Sequence, residues 1–89
     1  MAGVRFLTPN LSDVHVRVSG GNAIVTVDGG VEVSILDASA SIDTDGAHPT
    51  FRLTGIGVFL SFKTLYQDDF DALSHYLDSM AIGLEICEK

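Results

Sequence analysis

Apolar and polar residues alternate along most of the chain up to Lys63, and a period of two marks strands. From Asp13 to Val18, three valines (Val14, Val16 and Val18) share one face, with Asp13, His15 and Arg17 on the other. Ala23 to Val27 repeats the pattern. Ser19-Gly20-Gly21-Asn22 between them is turn chemistry, and it sets Val18 against Ala23, Val16 against Val25 and Val14 against Val27. Asp28-Gly29-Gly30 turns the chain again. A three-residue loop there keeps one apolar face, placing Val27 opposite Val31, Val25 opposite Val33 and Ala23 opposite Ile35. Such a loop asks Gly30 for a positive φ. Val4, Phe6 and Leu7, just before Pro9, suit an edge strand, because proline ends pairing there.

Val31 to Phe62 reads as two long strands joined by an Asp43–Thr50 loop. Antiparallel pairing sets Ile42 against Phe51, Ala40 against Leu53, Ala38 against Gly55 and Leu36 against Gly57. Nearer the base it sets Ile35 against Val58, Val33 against Leu60 and Val31 against Phe62. The apolar phase slips by one residue between Ile35 and Leu36, and again between Gly57 and Val58. Facing slips of this kind imply paired bulges, or a tip that turns its apolar face the other way. The hairpin outruns its neighbour beyond Ile35, and a two-stranded arm is marginal in water. Residues 36–57 therefore need a cover. Ala38, Ala40, Gly55 and Gly57 leave room for a close backbone. The candidates are the chain's own helix, the N-terminal segment or a second copy of the chain; a second copy is the expected cover, touching Ala38, Ala40, Phe51 and Leu53.

After Lys63 the period becomes helical. Thr64-Leu65-Tyr66-Gln67 fits a capping box. Tyr66, Phe70, Leu73, Leu77 and Met80 form the apolar stripe, Asp68, Asp69 and Asp71 suit the first turns, and Gly83 can end the helix. Ile82, Leu84 and Ile86 then alternate as a short last strand, parallel to the strand before the helix. The expected fold is α+β in a single domain over 1–89. It has a four-stranded antiparallel meander with a long central hairpin, one C-terminal helix packed on one face and a short terminal strand.

Charge narrows the function. The 89 residues carry five basic and twelve acidic side chains, a net charge of −7. Phosphate contacts dominate nucleic-acid affinity, so direct nucleic-acid binding is disfavoured and a basic protein surface is the natural partner. The one cysteine, Cys87, excludes an internal disulfide and fits a reducing, cytoplasmic setting. MAGVRFLTPN carries no apolar run of signal-peptide kind, and no stretch is long and apolar enough to span a membrane. Without secretion, Asn10-Leu11-Ser12 is a chance glycosylation sequon.

Little here resembles a reaction centre. Asp43-Thr44-Asp45-Gly46 opens like a calcium loop, but Ala47, His48, Pro49 and Thr50 do not supply the remaining ligands. Ser74 and His75 are neighbours on a helix and point about 100° apart. Cys87 has Glu88 beside it and little to lower its pKa. No phosphate loop or zinc pattern is present, so no catalytic residue, cofactor or metal is assigned.

Two surfaces remain. Asp68, Asp71, His75 and Asp78 line the outer helix face, and such a stripe is ordinarily a solvated face. No Lys or Arg lies between Thr64 and Glu88, however, whereas surfaces ordinarily intersperse both signs, and a single-sign stripe can dock on a basic partner. Ile24 and Phe59 line up with Ser34 on the outer sheet face, with Ile56 nearby; such an apolar cluster is either covered by the N-terminal segment or marks a subunit or partner contact. The expected function is a small acidic, non-enzymatic protein-binding module that covers a basic surface. In profile alone it is similar to phage and mobile-element inhibitors such as anti-CRISPR proteins. A small-ligand binder with a pocket at a homodimer interface, or a structural subunit of a larger assembly, are the other readings.

Overall fold

The computed structural model describes residues 3–44, 48–80 and 82–87. The chain is α+β and builds two sheets rather than one meander. The first runs in chain order through β1 (Val4–Leu7), β2 (Asp13–Ser19), β3 (Asn22–Val27) and β4 (Glu32–Ile35), all antiparallel. The second has the order β7-β6-β5, from β5 (Ser39–Asp43), β6 (Thr50–Gly55) and β7 (Val58–Lys63), again antiparallel. After the helix α1 (Gln67–Ser79), β8 (Gly83–Cys87) adds beside β5 in parallel. It shares β7's direction, as a strand after a crossover should, but two strands, β6 and β5, lie between them.

The first sheet follows the alternation. Val14 pairs with Val27, Val16 with Val25 and Val18 with Ala23. Ala23 pairs with Ile35 and Val25 with Val33. β1 is the edge strand, with Phe6 opposite Val14. The β2–β3 connection tightens to Gly20-Gly21, both at positive φ.

The next turn departs from expectation. Asp28 (φ 52°) and Gly29 (φ 68°) take the left-handed conformation, while Gly30 does not. The Gly30 N–H closes the turn on the Val27 carbonyl at 2.9 Å. This is a two-residue Asp-Gly turn, for which that dipeptide is a strong signal. The ladder resumes at Thr26↔Glu32, which leaves Val31 as an extra residue, a bulge in effect. The bulge preserves the one-face register that a three-residue loop was invoked to explain. Asp28 tolerates its φ because its carboxylate accepts the Asp13 N–H at 2.7 Å.

The long central hairpin does not form. Ile42↔Phe51 and Ala40↔Leu53 pair as expected, but Val33 lies opposite Val25, not Leu60. Leu60 instead lies opposite Leu53 and Val58 opposite Gly55. The two phase slips are chain reversals. At the first, Asp37 has φ 54° and its N–H bonds the Asn22 side chain. At the second, Gly57 has φ 71°, the value a type II turn demands at its third residue. Another backbone does approach at Gly55, from the same chain, whereas a Cβ on Gly57 would meet nothing among the described residues. A Cβ on Gly55 would run into the Ile35 side chain and the Leu36 carbonyl oxygen, and the Ile56 N–H bonds that carbonyl at 3.1 Å.

One buried cluster joins both sheets and the helix. It includes Phe6, Val16 and Val25 from the first sheet, Ile42, Phe51 and Leu53 from the second, and Leu73, Tyr76 and Leu77 from α1. Phe70 packs its ring 5.1 Å from Phe51, and Phe62 lies 5.3 Å from Phe6. The helix begins later than its capping box. Tyr66 occupies the N-cap with no side-chain cap bond, and Thr64 is buried. Tyr66 itself is exposed and Tyr76 takes its place in the core. α1 ends at Ser79, before Gly83, which belongs to β8.

Candidate functional site

The α1 surface opposite Leu73, Tyr76 and Leu77 presents Asp68, Asp71, His75 and Asp78, all exposed. Their spacing of three and four residues keeps them on one stripe. Asp71 accepts a hydrogen bond from Gln67 Nε2 at 3.1 Å. Asp68 sits in the first turn, where the helix dipole favours its charge, and the last turn holds no base to balance it. The arginines lie on the sheets and are engaged there. Arg17 reaches Glu32 at 2.8 Å, Arg52 reaches Asp43 at 3.5 Å and Arg5 lies 3.8 Å from Asp13.

The apolar outer-sheet cluster does not assemble. Ile24 pairs with Ser34 in the first sheet, whereas Phe59 pairs with Thr54 in the second. Ile24 is half-buried. Arg17 lies directly opposite it and crosses β3 to bond Glu32 on β4, so its aliphatic stem covers that position. Phe59 stays 59% exposed. Ile56 and Leu36 are exposed as well, and the Ile56–Leu36 backbone bond holds those two side by side between the ends of β4 and β7. The sequence places Ile56 near Phe59 but gives no sign of Leu36, because that neighbour depends on the chain reversals.

The residues expected at a dimer contact are spent inside one chain. Ala40, Phe51 and Leu53 are buried between the sheets and α1, and Ala38 is half-buried. β7 and β8 flank the β5–β6 pair, so no two-stranded arm is left to cover and the argument for a second copy there falls away.

The reaction-centre candidates disperse as well. The Ser74 hydroxyl donates to the Phe70 carbonyl at 2.9 Å, back into its own helix, away from His75. Asp43 is held by Arg52, and Asp45, Gly46 and the Cys87 side chain lie outside the described residues. Among the described residues no group of acidic, histidine or cysteine side chains could hold a metal, and no helix is long and apolar enough to cross a membrane.

One concave feature was not foreseen. A cleft of about 350 Å³ opens beside the end of β7, lined by the Thr8–Ser12 loop, Val14 and Val27 of the first sheet, and Ser61, Phe62 and Lys63. No pattern along the chain announces it, since its walls come from three separate segments. Neither a family model nor a curated protein nor a solved structure matches the chain.

Proposed function

We propose that this protein is a non-enzymatic binding module whose acidic helix face docks on a basic protein surface. The observation that carries the reading is the segregation of charge. Asp68, Asp71 and Asp78 stand exposed on α1 with no cation on the helix, while the three arginines are occupied on the sheets. A single-sign stripe steers a basic partner into encounter. Where that partner's basic surface serves nucleic acid, occupancy by carboxylates blocks it, the mode of an inhibitor of anti-CRISPR type acting in the host cytoplasm. A homodimer is compatible with this reading and is not required by it.

The exposed apolar side chains of Leu36, Ile56 and Phe59 support a second reading, in which binding rests on burial of apolar area. Salt separates the two. A partner captured on immobilised protein should be released steeply as salt rises, because exposed charges are screened within about 10 Å at 0.1 M. The triple variant Asp68→Lys, Asp71→Lys and Asp78→Lys should slow association while folding survives. Salt-insensitive binding, weakened more by Phe59→Ala than by the three reversals, would overturn the acidic reading.

A further inference from the structure

The cleft beside β7 coincides with a free sheet edge. β7 pairs with β6 on one side, and among the described residues no strand lies on the other. Gly55 and Val58 flank the two-residue turn and so form a hydrogen-bonded pair. Bonded and non-bonded pairs then alternate along an antiparallel ladder. Val58, Leu60 and Phe62 therefore bond to β6, while Phe59, Ser61 and Lys63 turn their N–H and C=O groups outward. The same rule applied to the Gly20-Gly21 hairpin turns the Val18 N–H away from β3, and there it meets the Tyr76 hydroxyl at 2.9 Å.

The core is also unfinished at this edge. On β6 the inward side chains Phe51 and Leu53 are fully buried, but on β7 the inward Val58, Leu60 and Phe62 are only half-buried. Across the cleft Val27 is 45% exposed. One more strand beyond β7 would pair the outward backbone groups and lay an aliphatic side chain over Phe62, Val14 and Val27. At the cleft's end stands Lys63, the described cation without an ion pair.

We propose that β7 takes an extended peptide segment of a partner protein as an added strand, with an aliphatic side chain in the cleft and a carboxylate at Lys63. Backbone pairing supplies affinity and the side-chain pocket supplies selection. A second copy of the chain is the poorer occupant, since two molecules each carrying −7 repel. This site lies on the sheets and does not rest on the acidic helix, so either can fail without the other.

A phage-displayed library of random dodecapeptides, panned on the full-length protein, provides the probe. Enriched peptides should alternate aliphatic and polar residues and carry an acidic one. A synthetic copy should slow amide exchange at Phe59, Ser61 and Lys63, leave Leu60 and Phe62 as they were, and lose binding when its alternate amides are N-methylated. Lys63→Glu, an exposed change that spares folding, should weaken it about tenfold or more, the scale of one lost charge-assisted bond. Failure to enrich peptides, enrichment of peptides that protect other amides, or indifference to Lys63→Glu overturns the proposal. So does sedimentation showing a dimer of the protein alone that Ser61→Pro dissociates, because the edge would then belong to a second copy.

Discussion

Deleting one oxygen, by Tyr76→Phe, tests how the helix is fastened to the first sheet. The Tyr76 hydroxyl accepts the Val18 N–H at 2.9 Å, and the two residues are 7% and 8% exposed. The Val18 N–H faces away from β3, and the β1 ladder stops at Val4↔Val16, so no strand carbonyl replaces the lost acceptor. The ring stays, which keeps the packing and leaves no large cavity. What remains is a buried, unpaired N–H, which costs about 1–3 kcal/mol. For a domain of this size each kcal/mol lowers Tm by roughly 4–8 °C, so a fall on the order of 10 °C is expected. Urea unfolding gives the free energy, and amide exchange at Val18 gives the location. A variant that melts within a degree or so of the parent, with Val18 still protected, would refute the reasoning. Water or a shifted carbonyl would then be serving that N–H.

Three glycine replacements probe the turns and the close approach of Leu36 to β6. Gly55→Ala should cost about 1–3 kcal/mol through overpacking against the Leu36 carbonyl, seen as a lower urea midpoint at unchanged slope; a neutral result would mean β4 and β6 are not in contact. Gly29→Ala should cost about 1–2 kcal/mol for its left-handed backbone, and Gly30→Ala distinctly less. The opposite order would return the strain to Gly30.

The first sheet was readable because period and turn chemistry agreed, with valines alternating up to Gly20-Gly21 and again up to Asp28-Gly29. The second sheet was half readable. Ile42↔Phe51 followed from the pattern, but a one-residue slip in apolar phase has two physical causes, a bulge or a reversal, and the sequence alone does not separate them. Leu36-Asp37-Ala38 carries no glycine to signal a turn. Its geometry is fixed by Asn22, a residue on another strand. The exposed stripe Asp68, Asp71, His75 and Asp78 followed from the helical period. Tyr76 was missed because its hydroxyl marks it as a surface residue until a buried donor is found for it. The pairing of Ile24 with Phe59 failed with the hairpin that would have aligned them.

The parallel partnership of β5 with β8 has a consequence for the order of assembly. Every pairing in the first sheet joins strands adjacent in sequence, so it can close as soon as residues 4–35 leave the ribosome. β5 appears next, yet its outer neighbour arrives only after β6, β7 and the whole of α1 have been made. During that interval β5 offers an open edge, the kind of template on which a second nascent chain can pair wrongly. Only β8, the last strand made, closes that edge.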